Sequence, residues 1–196
     1  ALMPTGGGKS ICFQVPAMAR DGVCLVVSPL IALMKDQVQN LNNKGIKALA
    51  VYSGMTYSQI DATLDNAIYG DYKFLYVSPE RLHTHMFRER VRKTDSSFLV
   101  VDEAHCISQW GYDFRPAYLE IKGIQELIGD VPVIALTATA TKSVAEDIMD
   151  KLSFRERNVI SSGFERENLS YVVRNVEDKF GNILKVCNGV PGTGIV

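Results

Sequence analysis

Continuous apolar runs recur along the chain at residues 23–27, 48–52, 73–77, 98–101 and 131–136. They do not alternate with polar residues, which is the pattern of strands covered on both faces. Between them the apolar positions change to helical spacing. Leu30, Met34, Val38 and Leu41 form one such series, and Ile60, Leu64, Ala67 and Ile68 a second. Pro116 suits the first turn of a third helix that carries Ile121, Ile124 and Leu127 and stops at Gly129. A fourth series, Val144, Ile148 and Leu152, goes with Ser143 and Glu146, whose spacing predicts a capping box. Strand and helix patterns alternate, so the expected fold is α/β with a mainly parallel sheet sandwiched by helices. There is no internal repeat and no low-complexity linker.

A length of 196 residues suits one domain, or one domain with part of another. Hydrophobic residues make up 46% and charged residues 22%, which excludes disordered, collagen-like and coiled-coil classes. Lys plus Arg number 21 against 22 Asp plus Glu, a net charge of −1. That excludes a protein that holds nucleic acid by bulk positive charge, and leaves enzymes with local contacts. Cys12, Cys24, Cys106 and Cys187 lie far apart and form no C-x-x-C pair. Reduced thiols inside a cell are expected rather than a zinc site. The longest apolar stretch, 23–34, contains Ser28 and Pro29 and is too short to span a membrane. Residues 1–10 lack the apolar region of a signal peptide.

Thr5-Gly6-Gly7-Gly8-Lys9-Ser10 is the first chemical signal. The glycines let backbone N–H groups turn inward around phosphate oxygens, and the helix that follows aims its N-terminus at the same anion. In that reading Lys9 neutralises the β- and γ-phosphates of ATP and the Ser10 hydroxyl ligates Mg2+. The full phosphate-loop pattern asks for Gly where Met3 stands, so a plain glycine turn is the alternative. The second signal is Phe98-Leu99-Val100-Val101-Asp102-Glu103, an apolar strand ending in two carboxylates. Asp102 would hold Mg2+ and Glu103 would orient and polarise the attacking water. Alone, such a pair is equally a solvated acidic turn. Spaced about ninety residues apart, the two signals together read as a nucleoside triphosphatase.

Asp102-Glu103-Ala104-His105 spells the DEAH box of superfamily 2 helicases. The next residues, Cys106-Ile107-Ser108-Gln109-Trp110-Gly111-Tyr112-Asp113-Phe114-Arg115-Pro116, resemble the aromatic-rich loop of RecQ-family DNA helicases. Residues 3–10 are similar to that family's motif I, Met3 included, and residues 28–37, Ser28-Pro29 onward, to its motif Ia. Residues 76–82 are similar to motif Ib, 136–140 to motif III, and 164–169 to the element that closes the first lobe. The motifs run in family order over essentially the whole chain. The resemblance implies an ATP-dependent helicase that moves 3′→5′ on DNA, with ATP clamped between two RecA-like lobes. Residues 1–176 would be the first lobe. Residues 177–196 would begin the second, with a helix from Asp178-Lys179-Phe180 and a strand at Ile195-Val196. The implied cofactors are ATP and Mg2+. The implied partners are single-stranded and duplex DNA and the second lobe of the same chain, with no membrane. The implied location is intracellular, in the cytoplasm or nucleoid of a bacterium or the nucleus of a eukaryote.

Roles carried over by resemblance extend to residues that have simpler readings. Trp110, Tyr112 and Phe114 are core aromatics or, in their polar setting, a base-stacking loop. Trp110 and Phe114 are assigned to the DNA side, and Arg115 to a phosphate. His105 is a satisfied structural histidine or a link from the ATP site to Thr137 and Thr139, with Gln109 in the same coupling set. Ser28-Pro29 and Ser78-Pro79 end strands, where hydroxyls and N–H groups can grip phosphates. Residues 80–95 carry Arg81, Arg88, Arg90, Arg92 and Lys93 and read as a solvated helix face, except that Arg81 is expected near the DNA backbone. His83 and His85 read as surface residues.

The strand that should precede the phosphate loop is expected to survive only in its last residues. The adenine-reading segment is expected upstream of Ala1, and an arginine finger from the second lobe. The chain alone is therefore expected to turn over little ATP. Two rivals stand beside the DNA-helicase reading: a DEAH-type RNA helicase, and a nucleotide-gated clamp that binds nucleic acid without unwinding it.

Overall fold

The computed structural model describes residues 1–111, 113–163 and 168–194. Its sheet has five strands: β1 (Val23–Val27), β2 (Ala48–Val51), β3 (Phe74–Val77), β4 (Ser96–Val101) and β5 (Val133–Ala135). The order across the sheet is β2-β3-β1-β4-β5, and every pair is parallel. Val27 lies opposite both Val77 and Val101, so β3, β1 and β4 end level. Beyond β5, Leu2 bridges in parallel to Thr137 on one side and to Ser161 on the other. The predicted α/β sandwich and its strands are present, some of them a residue or two shorter than the apolar runs.

The helices are α1 (Lys9–Met18), α2 (Ile31–Asn43), α3 (Tyr57–Tyr69), α4 (His85–Val91), α5 (Ile121–Ile128), α6 (Lys142–Lys151) and α7 (Lys179–Gly189). Successive strand residues feed opposite faces. Val23, Leu25 and Val27 pack with Ile60, Leu64, Phe87, Ile121, Ile124 and Ile148, while Cys24 and Val26 pack with Phe13, Ala17, Met34 and Leu41. The sheet is thus covered by α1 and α2 on one face and by α3 to α6 on the other, which is why its strands read as unbroken apolar runs.

Three sequence expectations change. The cap of α6 is Thr141, whose hydroxyl accepts from the Val144 N–H at 3.3 Å, and Ser143 already lies inside the helix. The complete capping box belongs instead to Thr56 and Gln59 at α3. Pro116 opens a 3-10 turn, Pro116–Glu120, and α5 starts only at Ile121. The basic stretch is also less solvated than expected. Phe87 and Val91 of α4 are core residues. Arg90 Nη2 reaches Asp61 at 2.6 Å and its Nη1 pairs with Asp65, while Arg88 reaches Glu120 at 3.4 Å.

The chain divides into two compact units, Ala1–Phe164 and Glu165–Val196. In the second unit, Asp178 caps α7 by accepting from the Gly181 N–H at 2.9 Å. The expected strand at 195–196, and residues 164–167 of the motif at 164–169, lie outside the described residues.

Candidate active site

A parallel sheet delivers all its carboxyl-end loops to one edge, and ligands of α/β folds sit there. The Leu2 bridges bring the glycine loop to that edge. The Met3 N–H donates to Thr137 O at 3.0 Å and the Leu2 N–H to Ile160 O at 2.8 Å. Gly8 caps α1 with φ 82, a left-handed backbone that a side chain would strain. No acidic residue occupies the first turn of α1. Thr5 to Gly8 are exposed, with Lys9 and Ser10 half-buried behind them. This is an open shelf for an anion at a helix N-terminus.

β4 carries Asp102 and Glu103 to the same edge. The Asp102 N–H donates to Val27 O at 2.9 Å, which ties the carboxylate to the end of β1. Its Oδ2 accepts from the Ser28 hydroxyl at 3.2 Å and its Oδ1 from the Glu103 N–H at 3.0 Å. Glu103 has φ 46 and ψ 46, a left-handed conformation rare outside glycine. Such strain persists where the surroundings enforce it, and it clusters at functional positions. The enforcing contacts are visible here. The Ala104 N–H donates to Leu136 O at 2.8 Å, and Tyr118, fully buried, donates its hydroxyl to Asp102 O at 2.8 Å.

His105 joins this acidic turn to the segment after β5. Its Nδ1 lies 2.9 Å from Thr137 Oγ1 and 3.3 Å from Glu103 Oε2. Thr137 Oγ1 also accepts from the Thr139 N–H at 3.2 Å. A proton on Nδ1 serves both the hydroxyl and the carboxylate, so this tautomer fits the site. Burial pushes the Asp102 carboxyl above the usual carboxylate range, against the Glu103 N–H, Ser28, Lys9 and His105. Burial and then the Asp102 charge push Glu103 upward, against Lys9 and His105. Lys9 therefore acts electrostatically on both carboxyls.

The loop after His105 departs from the acidic turn toward solvent. Trp110 is 80% exposed, which removes the core reading for this residue. Phe114 is half-buried, with Lys151 Nζ 5.8 Å from its ring centre. Arg115 is held by Asp113, Nε at 3.1 Å and Nη2 at 2.9 Å, so its guanidinium is already occupied by a carboxylate. Gln109 is exposed and Tyr112 lies outside the described residues. Gly111 closes the loop on the acidic turn, because a Cβ there would collide with the His105 carbonyl. Burial, with the Asp113 charge, pushes the Cys106 thiol up to about 12, so it remains a thiol.

Not every expected nucleic-acid contact lies on the surface. Ser28 and Ser78 are 2% and 0% exposed, and the Ser28 hydroxyl is spent on Asp102. Their strand-end positions are as expected, but both side chains are buried, and the Ser78 hydroxyl has no hydrogen-bond partner among the described residues. Pro29 is half-buried, and Arg81, also half-buried, donates from Nε to Tyr52 O at 3.2 Å. Thr139 is exposed and meets the coupling set through its backbone. Tyr118 was missed in the sequence. Its one signal is a tyrosine among apolar helix positions, where a buried hydroxyl needs a partner. All four cysteines are free, and no helix among the described residues is long and apolar enough to cross a membrane.

Residues 1–148 match the DEAD/DEAH box helicase family model. The chain is 46% identical over 179 residues to the ATP-dependent DNA helicase RecQ of Bacillus subtilis, covering 91% of this chain and 30% of that protein. It is 42% identical to RecQ of Haemophilus influenzae, covering 91% and 28%. The chain thus spans about three-tenths of these relatives' length. Among solved structures, the Pyrococcus furiosus Hef helicase domain superposes with a TM-score of 0.58 at 18% identity, covering 79% of this chain and 33% of that one. The fold is therefore the RecA-like helicase fold, and the chain belongs to the DEAD/DEAH box helicase family, with RecQ DNA helicases among its sequence relatives.

Proposed function

We propose that this chain is the first motor lobe of an ATP-dependent DNA helicase that moves 3′→5′. The observation that carries the reading is the hydrogen-bonded series Glu103–His105–Thr137, set beside the glycine loop and continuous in sequence with the exposed Trp110. A change felt at the aromatic loop has a short physical route to the carboxylate that handles water.

The residues divide the chemistry as follows. Thr5 to Gly8 and the start of α1 cradle the ATP phosphates, and Lys9 offsets charge that grows on the γ-phosphate oxygens during attack. Glu103 accepts a hydrogen bond from the attacking water and takes up its proton. Asp102 is fixed on both oxygens by Ser28 and the Glu103 N–H, which orients it without neutralising it. A Mg2+ ion suits the donors present: the Ser10 hydroxyl and the Asp102 carboxylate are hard oxygen ligands. Among the described residues no group of three or more His, Cys, Asp or Glu side chains forms a cage. That is the donor pattern of an ion that takes its remaining ligands from water and phosphate. When bound, it supplies Lewis-acid neutralisation of the phosphate oxygens.

Trp110 offers a face for base stacking, worth about 1–3 kcal/mol per base. Phe114 and Arg115 follow it in the same loop, and Arg81 and Pro29 lie just past the ends of neighbouring strands. The exposed phosphate shelf calls for a second wall, which the reading assigns to another RecA-like lobe carrying an arginine finger. In the full-length protein, Lys9→Ala is expected to abolish ATP hydrolysis and strand separation together. Unwinding that survives Lys9→Ala overturns the motor reading, and nucleotide binding unaltered by it overturns the loop assignment. Competition between single-stranded DNA and RNA of one sequence decides the nucleic acid.

A further inference from the structure

The geometry points to Asp147 and Lys151 of α6 as positioning residues that seat the aromatic loop on the motor lobe. This inference rests on the loop being the DNA contact proposed above. It concerns two residues outside every motif, one of them past the end of the matched family region.

Asp147 and Lys151 stand one helical turn apart with Nζ 3.1 Å from Oδ2. An acid four residues before a lysine is a common pairing on an exposed helix, worth little. Here both side chains are mostly buried, at 22% and 27% exposure, and they face another element instead of solvent. Lys151 Nζ donates to Ile107 O at 3.0 Å, at the end of the short helix Ala104–Ile107 that carries His105. The same ammonium lies 5.8 Å from the centre of the Phe114 ring. Ser108, which is fully buried, acts on the Asp147 carboxylate from the loop side. Ser108 Oγ in turn accepts from the Trp110 N–H at 3.2 Å. Lys151 therefore holds the loop on both flanks: at the Ile107 carbonyl before Trp110, and at the Phe114 ring on the return.

The support is itself anchored. Gln125 of α5 donates to Leu152 O at 3.1 Å, which fixes the end of α6 beside Lys151. Burial acts to raise the Asp147 carboxyl, but Ser108 and Lys151 outweigh it and hold it below the usual range. The carboxylate is thus ionised and stays paired with the ammonium. α6 directly follows the Thr137–Thr141 segment, so the helix that seats the aromatic loop also continues the segment that contacts His105.

The test uses the full-length protein with Lys151→Met, which keeps the aliphatic stem, and Lys151→Arg, which restores a cationic donor. ATPase is titrated with single-stranded DNA. Lys151→Met is expected to raise the DNA concentration for half-maximal stimulation about tenfold, the scale of one lost charge-assisted hydrogen bond. The rate without DNA and the rate at saturating DNA should stay within about twofold, because the nucleotide residues are untouched. Lys151→Arg is expected to recover most of the affinity. Trp110 is the single tryptophan of the 196-residue chain, so its fluorescence anisotropy there reports loop mobility, and it should fall in Lys151→Met. Should Lys151→Met fail to fold, Asp147→Asn gives the same readings with the ammonium retained. An unchanged half-stimulating concentration, while Trp110→Ala loses stimulation, overturns the seat. Stimulation that survives Trp110→Ala overturns the underlying reading of the loop.

Discussion

Asp102 and Glu103 are held in a costly arrangement at single-residue scale. Two carboxyls sit side by side, partly buried, and the second has a left-handed backbone. Because both titrate above their unfolded values, the folded chain binds more protons than the unfolded chain between those two values. Stability from these groups therefore falls as pH rises through that window, and the full penalty stands at neutral pH. Asp102→Asn is expected to raise the melting temperature of the nucleotide-free protein at pH 7 in chelator, with the gain shrinking toward pH 4, measured by calorimetry. The asparagine can still accept from the Glu103 N–H, so the turn is kept. Tyr118→Phe tests the opposite kind of residue. It leaves the Asp102 carbonyl without its 2.8 Å donor in a buried place. The expected loss is about 1 kcal/mol in urea unfolding.

Element-scale support comes from caps and ion pairs that the strand and helix patterns do not display. Thr141 is the hinge point between the Thr137–Thr139 segment and α6, and its hydroxyl starts that helix. Thr141→Ala is expected to cost about 1 kcal/mol, read from the denaturant midpoint. Changing Ser143, the expected cap residue, to Ala should change the midpoint much less. On the same face of the sheet, Arg90 binds α4 to two carboxylates of α3, one turn apart. A guanidinium with its planar fork suits that double contact better than a lysine would.

For the whole molecule, the decisive property is the order of loops along one sheet edge. In sequence they run glycine loop, Ser28, Ser78, Asp102, Thr137. In space the Leu2 segment adjoins Thr137, then come β4 with Asp102, β1 with Ser28 and β3 with Ser78. That order sets the residues proposed for the nucleotide toward the Leu2–Thr137 end of the edge and Ser28 and Ser78 toward the other. The glycine loop proposed to hold phosphate is open, with Thr5 to Gly8 exposed. An arginine finger contributes about 10³–10⁵ in rate. The 196 residues alone are accordingly expected to show negligible ATP turnover in a phosphate-release assay, with or without DNA. Robust DNA-stimulated turnover by this chain would falsify the need for a second lobe.

Local chemistry made much of this protein readable from its sequence. Apolar runs without polar alternation marked strands covered on both faces, and the glycine loop and acidic strand end marked where phosphate and water are handled. Those features depend on near neighbours in the chain, and the structure brings the glycine loop and the acidic strand end to one sheet edge, where the phosphate and water roles are proposed. What a polar side chain does when it folds against a distant strand depends on which strand that is. Ser28 was expected at a phosphate, but because β1 adjoins β4 its hydroxyl holds Asp102. Arg88 and Arg90 were expected in solvent, but α4 packs against α3 and α5, and carboxylates wait there. Tyr118 and Lys151 carried no motif at all, and their roles exist only through partners 16 and 44 residues away. The sequence by itself determined the elements and the reactive groups. Tertiary structure alone decided which polar groups support the site and which remain free to meet a ligand, because burial and pairing are set by contacts between segments far apart in the chain.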